Sequence, residues 1–332
     1  MLTCNPDKAK VLLVLDIHNF MLRCYFAKGF ASNAKNKQGY KTGHVYLAMQ
    51  KLRAALKYCG DGPVCLMLSA QENSHVRKKL YPAYKGNRQP REYESYEIKD
   101  YEGNIVDKTR DPIEDGMEAL MCFPCVNVEI PDCDGETDDA IAAIKRRYSK
   151  THRIVIITED HDAWALMGKN VEIISKPEES YTKEHLWNQY GIKNPKLLPL
   201  VKALFGDSSD NIENVPGLSA DTYSQHVRDG KPGHYLEISN ILNTMERKEG
   251  EKNYAKSFFR EAAKSTDKRV AGLVTHRKAI ISREKIIKLR PKIRVKLTQI
   301  PGDPKRLGAL LAWYDIRKDA PSMVAIASSS VK

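Results

Sequence analysis

Short apolar runs that alternate with segments of helical periodicity limit the folds available to the first half of this chain. The apolar runs occupy residues 11–15, 64–68, 126–130, 154–157 and 171–174. Their composition and length are typical of buried strands. Apolar residues recur at helical spacing between them, for example in 45–58 and 138–148. Because strands that alternate with helices pair in parallel and are covered on both faces, the sequence predicts an α/β fold with a mainly parallel central sheet flanked by helices.

Two departures from this alternation indicate the domain organisation. Residues 89–115 are rich in charge and tyrosine, so they form either a mobile excursion or a helical insertion that folds over a ligand. Beyond Pro195 the strand signals stop, and apolar helical segments joined by Gly/Pro turns follow at 197–205, 220–227, 254–264 and 281–289. We therefore expect an α/β core at 1–195 with an insertion at about 80–115, and a helical, basic region at 196–332.

The charge of the chain is concentrated near its end. Residues 221–332 contain 24 of the 54 Lys and Arg residues but 12 of the 42 Asp and Glu residues, and residues 1–220 are neutral. A basic surface attracts a polyanion, and nucleic acid is the commonest polyanion for a soluble protein. Charge alone leaves open the alternative that these residues only keep the surface soluble.

The sequence also bears on the cellular compartment. No apolar run has the length of about 20 residues that a membrane span needs. The apolar stretch 11–15 continues directly into Asp16 without the small-residue cleavage site of a signal peptide. Seven cysteines without a repeating spacing fit reduced thiols. We expect a cytoplasmic protein that does not associate with a membrane.

Acidic residues follow three of the predicted strands and occupy one turn between predicted helices. They are Asp16 after the first strand, Glu136, Asp138 and Asp139 after the third, Asp160 and Asp162 after the fourth, and Asp207 and Asp210 in the turn. Ligands of open α/β sheets bind outside the carboxyl ends of the strands, so we expect these side chains to converge on one crevice. Taken singly, each Asp has the alternative interpretation of a helix N-cap or turn former.

Converging carboxylates need a counter-charge, because each one raises the pKa of its neighbours. Carboxylate and water ligands favour Mg²⁺ or Mn²⁺ over Zn²⁺. Two such ions about 3.5 to 4 Å apart would clamp the attacking and leaving oxygens of a phosphodiester displacement. Helical spacing predicts that Glu136 and Asp139 share one face, whereas Asp138 points elsewhere and acts through a water or the other ion.

Two further motifs favour phosphate binding. Lys85 and Arg88 are spaced to grip one phosphate together, and Tyr84 is placed to stack on a base. A solvated basic helix end is the alternative for this motif. The glycine-bearing turn at 206–219 would present backbone N–H groups and a helix N-terminus to one DNA phosphate. An ordinary helix–helix turn is the alternative there.

Together these motifs resemble the 5′-nuclease (flap endonuclease) superfamily, in particular the bacteriophage 5′-to-3′ exonucleases and the exonuclease domain of bacterial DNA polymerase I. The resemblance runs in order from Asp16 to about Val227. The matching stretches are Asp16-Ile-His-Asn-Phe-Met-Leu-Arg23, Tyr84-Lys-Gly-Asn-Arg88, Gly135-Glu-Thr-Asp-Asp139, Thr158-Glu-Asp-His-Asp162 and Gly206-Asp-Ser-Ser-Asp-Asn211.

The resemblance implies a PIN-like core and a two-ion, magnesium-dependent phosphodiesterase that accepts manganese. Its substrates would be DNA with 5′ ends, flaps or nicks and the RNA of RNA–DNA hybrids, and its role would be primer or flap removal in phage replication. By position, metal roles are implied for Asp16, Glu136, Asp138, Asp139, Asp160, Asp162, Asp207 and Asp210. The resemblance also implies that the protein is a monomer, acts in a bacterial host and contacts a replication protein.

The resemblance also implies which residues contact DNA. Lys85 and Arg88 match basic residues at the base of a helical arch, and together with Asp160 they take catalytic roles. Arg23 matches a phosphate-contacting arginine, and Tyr84 belongs to the arch motif. The segment 197–228 resembles a helix-hairpin-helix element that binds duplex through positions such as Gly217 and Ser219 and often holds K⁺.

Three positions depart from the family pattern. Ser69 stands where the family usually has an Asp after the second strand, so Glu72 is the acid that would substitute for it. Ile17 replaces the usual Gly after the first Asp, and Gly217-Leu-Ser219 replaces a Gly-x-Gly, which bears on K⁺ binding. Two alternatives remain open: a non-catalytic protein that binds branched DNA, which Ser69 motivates, and a PIN-type ribonuclease.

Overall fold

The structure is a computed structural model that describes residues 1–29, 33–69, 73–89, 98–99, 105–107, 112–131, 135–176, 178–245 and 254–328. The strands are β1 (Val11–Asp16), β2 (Val64–Ser69), β3 (Ile98–Lys99), β4 (Ile105–Asp107), β5 (Cys125–Glu129), β6 (Arg153–Ile157), β7 (Val171–Lys176), β8 (Glu179–Ser180) and β9 (Lys296–Ile300). The helices of the first half are α1 (Ile17–Tyr25), α2 (Gly43–Cys59), α3 (His75–Leu80), α4 (Pro112–Met121), α5 (Thr137–Tyr148) and α6 (Lys183–Tyr190).

The second half of the chain is mainly helical. Its helices are α7 (Leu198–Phe205), α8 (Ala220–Arg228), α9 (His234–Thr244), α10 (Ala255–Ala262), α11 (Lys268–Gly272), α12 (Arg277–Ile287), α13 (Pro304–Trp313) and α14 (Ala320–Ser328). Short 3₁₀ turns at His161–Leu166 and Ser208–Asp210 follow β6 and α7. In the described ranges, no helix combines the length and the apolar character needed to cross a membrane.

The central sheet has the strand order β8-β7-β6-β1-β2-β5-β9. The five inner strands, β7, β6, β1, β2 and β5, are parallel, and β8 and β9 pair antiparallel at the two edges. The predicted α/β fold with a mainly parallel sheet is therefore confirmed. In β1 and β2 the register places Asp16 opposite Ser69, so both residues lie at the carboxyl edge of the sheet.

Layers of helices cover both faces of the sheet. The inner strands are almost continuously apolar and buried, as expected for parallel strands packed on two sides. Leu12 and Val14 of β1 face a core shared with α5, α7 and α12, whereas Leu13 and Leu15 face a core shared with α1 and α2. This alternation fixes the strand register, so the residues that follow each strand meet at one edge.

The chain after residue 195 departs in one respect from the predicted helical region. Residues 296–300 form β9, which pairs with β5 at the edge of the sheet. Helices α13 and α14 then pack on the core that contains α1 and α2. This strand was missed because its sequence, Lys296-Leu-Thr-Gln-Ile300, lacks the continuous apolar run that marks the inner strands.

The predicted insertion at about 80–115 lies partly outside the described residues. Its described parts are residues 80–89, residues 98–99 and 105–107, which pair as the antiparallel ribbon β3–β4, and residues 112–115, which begin α4. Residues 90–97, 100–104 and 108–111, where the helical arch was expected, are among those the structure does not describe.

Candidate metal centre

A cleft of about 730 Å³ opens at the carboxyl edge of the sheet. Four acidic side chains line it, which we call the open cluster: Asp16, Glu136, Asp138 and Asp160. Lys85 and Arg88 line the same cleft. A smaller pocket continues inward from Asp138 and Asp160 to Asp162 and Asp210. Six of the eight acidic residues predicted to converge thus line this cleft and its inner pocket, whereas Asp139 and Asp207 line neither.

Asp16 and Asp160 are held in the open cluster by helix capping. Asp16 ends β1 and its Oδ1 accepts the N–H of Asn19 at 3.0 Å, so it caps α1. Asp160 follows β6 and its Oδ1 accepts the N–H of Asp162 at 2.9 Å. Capping engages one oxygen of each carboxylate. The N-cap interpretation and a metal role are thus compatible at these two positions.

Two features of the open cluster indicate that a cation belongs there. Glu136 is buried, and its Oε1 has no hydrogen-bond partner, whereas its Oε2 accepts the Nζ of Lys85 at 2.8 Å. Desolvation raises the pKa of Asp138 well above its usual range, and the carboxylates of Asp160 and Asp16 raise it further. Because an orphaned buried carboxylate oxygen is costly, this donor set fits a hard divalent cation.

A second group of carboxylates, which we call the closed cluster, consists of Asp162, Asp207 and Asp210. One oxygen from each lies within 4.8 Å of the others. Between them lies the side chain of Lys202, which is 8% exposed. Its Nζ contacts Asp162 Oδ1 at 2.5 Å and Asp207 Oδ2 at 2.8 Å. A lysine of α7 therefore neutralises part of this cluster from within.

The internal ammonium shapes the titration of the closed cluster. Desolvation raises the pKa of Asp162 to about 7, and Lys202 opposes that rise. Burial also raises the pKa of Asp207, but Lys202 and hydrogen bonds from Ser209 outweigh it and leave the pKa below its usual value. Burial alone lowers the pKa of Lys202, whereas the two aspartates raise it well above its usual range. The lysine is therefore charged.

The basic motif is fastened to the turn that carries the closed cluster. The backbone N–H of Lys85 donates to the carbonyl of Asp210 at 3.0 Å. Lys85 has a left-handed backbone with a φ of 54°. Arg88 Nη2 donates to Asp210 Oδ1 at 3.3 Å, and its side chain is 45% exposed. Both predicted phosphate-gripping cations thus reach the cleft beside the carboxylates.

The structure corrects the prediction for Asp139. This residue is fully buried, and its carboxylate forms a two-point ion pair with Arg77 at 2.7 and 2.8 Å. Its oxygens also accept the N–H groups of Arg290 and Glu136. Since the protein itself satisfies both oxygens, Asp139 is a structural residue, and Asp138 faces the cleft in its place.

The expected stacking role of Tyr84 is also wrong. The residue is 2% exposed, and its hydroxyl donates to Glu136 Oε2 at 3.2 Å. Burial raises the pKa of Tyr84, and Glu136 raises it further. A buried ring cannot stack on a base, so Tyr84 positions Glu136 instead.

The remaining predicted DNA contacts are Arg23, Gly217 and Ser219, of which Arg23 lies beside Asp16 and Asn19. Arg23 pairs with Glu159 and donates to Asn19 Oδ1 at 2.7 Å, and its side chain is 34% exposed. Gly217 is exposed in the turn between α7 and α8 with a φ of 83°. Ser219 caps α8, and its N–H donates to the hydroxyl of Tyr235 at 3.2 Å. The N–H of Ser219 is therefore engaged within the protein.

Ser69, the position where the family pattern has an Asp, lies opposite Asp16 in the strand register at the carboxyl end of β2. It is fully buried, and its Oγ has no hydrogen-bond partner. Glu72, the predicted substitute for the missing Asp, lies outside the described residues.

Two charged residues of the site escaped the sequence reasoning. Lys202 is the single charged residue of the apolar helix α7, and it precedes Asp207 by five positions, which is a signal that points to a buried ion pair. Arg77 carries no comparable signal, because it lies among exposed cations of α3, and its partner Asp139 is 62 positions away.

The model of one protein family matches residues 11–191, which is more than half of this chain. That family is described as the 5′-3′ exonuclease, N-terminal resolvase-like domain. The match covers β1 to the end of α6, including the whole open cluster and Asp162, whereas Asp207 and Asp210 lie beyond it.

Individual relatives match a similar span. The chain is 28% identical over 249 residues to the thermostable DNA polymerase I of Thermus thermophilus, covering 74% of this chain and 26% of that protein. It is 26% identical over 240 residues to the 5′-3′ exonuclease of Aquifex aeolicus, covering 72% of this chain and 74% of that protein. The chain thus spans about a quarter of the length of the polymerase relatives it matches.

The fold is similar to that of the bacteriophage T5 flap endonuclease, solved as a pseudo-enzyme–product complex with DNA and metal ions. The TM-score is 0.54 at 14% identity, and the alignment covers 96% of this chain and 100% of that chain. This similarity agrees with the α/β architecture described above.

Proposed function

Because the chain belongs to the 5′-3′ exonuclease family with the N-terminal resolvase-like domain, we propose that it is a divalent-metal-dependent nuclease that cuts DNA near 5′ ends and at the base of 5′ flaps. The observation that carries the proposal is the buried, unpartnered Oε1 of Glu136 among the carboxylates of a cleft that also holds Lys85. The named activity of the Aquifex aeolicus relative and the DNA and metal ions of the T5 complex support it.

The ion proposed for both clusters is Mg²⁺, with Mn²⁺ as a substitute. The donor sets consist of carboxylates, which these ions prefer. The open cluster would hold one ion through Asp16, Glu136, Asp138 and Asp160, and the closed cluster would hold another through Asp162, Asp207 and Asp210. When bound, Mg²⁺ supplies Lewis-acid polarisation of the phosphodiester and lowers the pKa of a nearby water.

The chain's own cations bind and orient the scissile phosphate. Lys85 Nζ lies 2.8 Å from Glu136 Oε2 and is 20% exposed, so it reaches a phosphate oxygen in the cleft while it remains beside the acids. Arg88 is more exposed and grips the adjacent phosphate. Preorganised cations of this kind stabilise the negative charge that builds up on the phosphate during displacement.

Contacts outside the cleft hold the substrate without reading its sequence. Arg23 and the exposed turn at Gly217 would contact backbone phosphates. We extend the proposed substrates to nicked duplex and to the RNA of RNA–DNA hybrids, and the proposed role to primer or flap removal during replication.

The test is a cleavage assay with the purified chain on 5′-labelled flap DNA, nicked duplex, RNA–DNA hybrid and single-stranded RNA in one buffer. We expect release of short 5′ products from flap DNA with Mg²⁺ or Mn²⁺, and none with EDTA. An Asp138→Asn variant purified in parallel excludes contaminating nucleases.

Two outcomes would replace the proposal with another function. Tight flap binding without cleavage in either ion would favour a non-catalytic branched-DNA-binding protein, for which the buried Ser69 beside Asp16 is the motivating observation. Cleavage confined to single-stranded RNA would favour a PIN-type ribonuclease.

A further inference from the structure

One strongly basic stretch of the chain lies outside the proposed active site. Residues 285–302 contain six Lys and Arg residues and no acidic residue. This stretch belongs to the region 221–332, whose excess of basic residues accounts for the net charge of +12. No charged side chain of this stretch lines the cleft or its inner pocket. The function proposed for the cleft therefore does not explain why positive charge is concentrated here.

The stretch connects the cleft to the edge of the sheet. Ile287 and Leu289 line the inner pocket together with Asp138 and Asp160. The N–H of Arg290 donates to Asp139 at the start of α5. The chain then passes along α5 to residue 296, where β9 begins. Basic residues therefore continue from the wall of the cleft to the outer strand.

Side chains alternate along this path. Ile293, Val295 and Leu297 are half-buried and pack against the core. Lys292, Arg294 and Lys296 lie between them and are exposed, and Lys296 Nζ pairs with Glu129 Oε2 of β5 at 3.3 Å. Packing of the apolar residues thus holds the three cations on the solvent side.

Helix α5 adds two more cations to the same surface. Arg146 and Arg147 are exposed in its last turn and line a groove of about 380 Å³ with Pro291, Ile293 and Val295. Arg146 Nη1 donates to the carbonyl of Pro291 at 3.5 Å, which ties helix and segment together. We name this surface the basic flank, and it consists of Arg146, Arg147, Lys292, Arg294 and Lys296.

We propose that the basic flank binds the phosphate backbone of the duplex arm that leaves the cleft. A row of cations gains most from a polyanion with regularly spaced charges, since each neutralised phosphate releases a counterion. The residues that line the groove include no aromatic ring for base stacking, so the contact is to the backbone and independent of sequence. Because the basic flank continues from the wall of the cleft, DNA that occupies the cleft is a better candidate partner for it than an acidic protein. The inference rests on the proposed function, because the same DNA must occupy the cleft.

The test compares two double variants of the full chain. Lys292→Gln/Arg294→Gln removes two cations from the flank, and Lys57→Gln/Lys169→Gln removes two exposed cations elsewhere as the matched control. Fluorescence anisotropy with flap DNA in EDTA gives the affinity at several salt concentrations. Substrates with each duplex arm shortened in turn identify the arm that reaches the flank.

For the flank variant we expect the negative slope of log affinity against log salt to become shallower by about 1.8, because two phosphate contacts are lost. The affinity in low salt should decrease roughly tenfold. Shortening one duplex arm should weaken wild-type binding and leave the flank variant nearly unchanged. The control should match wild type in both measurements. Equal slopes for the two double variants, or losses independent of arm length, would overturn the proposal and favour an acidic protein partner for this surface.

Cleavage of a flap substrate with minimal arms separates this proposal from the proposed function. The flank variant should cut that substrate at the wild-type rate. A wild-type chain that cuts no substrate would contradict the nuclease proposal, whereas wild-type cleavage with unchanged salt slopes would contradict the flank alone.

Discussion

The open and closed clusters contain the same kind of side chain but differ in how their charge is balanced. In the closed cluster the ammonium of Lys202 lies 2.5 Å from Asp162 and 2.8 Å from Asp207. In the open cluster Lys85 reaches Glu136 from the wall of the cleft, and Glu136 Oε1 stays unpartnered. A count of acidic residues therefore does not indicate how strongly a site needs a cation, because an internal counter-charge changes that need.

The largest expected effect is that of Asp160→Asn, since Asp160 lines both the open cleft and the pocket that leads to the closed cluster. Asparagine retains the size and the N-cap of Asp160 but removes its charge. We expect Mg²⁺-dependent cleavage of flap DNA to fall by about 10³-fold or more, with flap affinity in EDTA within about threefold of wild type. A variant that still cuts within tenfold of wild type would contradict the role of the open cluster.

The closed cluster is tested by Lys202→Met, which leaves the half-buried carboxylates of Asp162 and Asp207 without their ammonium. We expect the free energy of unfolding in EDTA to fall by about 3–5 kcal/mol, because breaking a buried ion pair leaves an uncompensated charge. Urea denaturation measures this loss, and added Mg²⁺ should restore more stability to the variant than to wild type.

Lys196→Met provides the matched control for Lys202→Met, because Lys196 is exposed. Its effect should stay within about 0.5 kcal/mol. Equal losses in the free energy of unfolding for Lys202→Met and Lys196→Met would show that Lys202 does not stabilise the closed cluster.

Lys85→Ala tests the cation of the open cluster. We expect kcat for flap cleavage to fall by about 10²-fold, because Lys85 stabilises charge on the phosphate during the reaction. Duplex affinity should change by less than about threefold, since one charge is lost among several contacts. Lys85→Arg, which keeps the charge, should recover part of kcat. Equal losses in kcat and affinity would reduce Lys85 to a binding residue.

The smallest effect is a pH dependence of stabilisation by Mg²⁺. The pKa of Asp162 is about 7 in the folded chain, above its usual value of 3.8. Between these two pKa values the folded state holds a proton on Asp162 that the unfolded state has released. The stability contributed by this proton is fully present in acid and is lost as the pH rises through 7. Metal-free protein should have a Tm a few °C lower at pH 8 than at pH 5.5.

Magnesium should raise the Tm mainly above pH 7, because binding requires deprotonated carboxylates. Thermal unfolding with and without Mg²⁺ across this range checks the prediction, and Asp162→Asn should reduce the pH dependence. A magnesium-induced shift in Tm that is equal at pH 5.5 and pH 8 would contradict it.

Asp139 lies away from the cleft because of where α5 begins. Glu136 has an extended backbone with φ −106° and ψ 167°, so it is the N-cap of α5 and the helix begins at Thr137. Glu136 and Asp139 are therefore related as N-cap and third helical residue, joined by the bond from the Glu136 N–H to Asp139 Oδ2 at 3.2 Å, and not as two residues on one helix face. A shift of one residue in a helix boundary is within the uncertainty of sequence-based assignment, yet it reversed the roles of Asp138 and Asp139.

The sequence by itself determined the parallel strands and the edge at which their acidic residues meet, because apolar periodicity and strand ends are local properties. The tertiary structure alone decided which charges face the cleft and which pair inside the protein. Arg77 with Asp139 and Lys202 with Asp162 are joined across 62 and 40 positions of the chain. The energy of such pairs depends on distance and desolvation in the folded state, which no local pattern encodes.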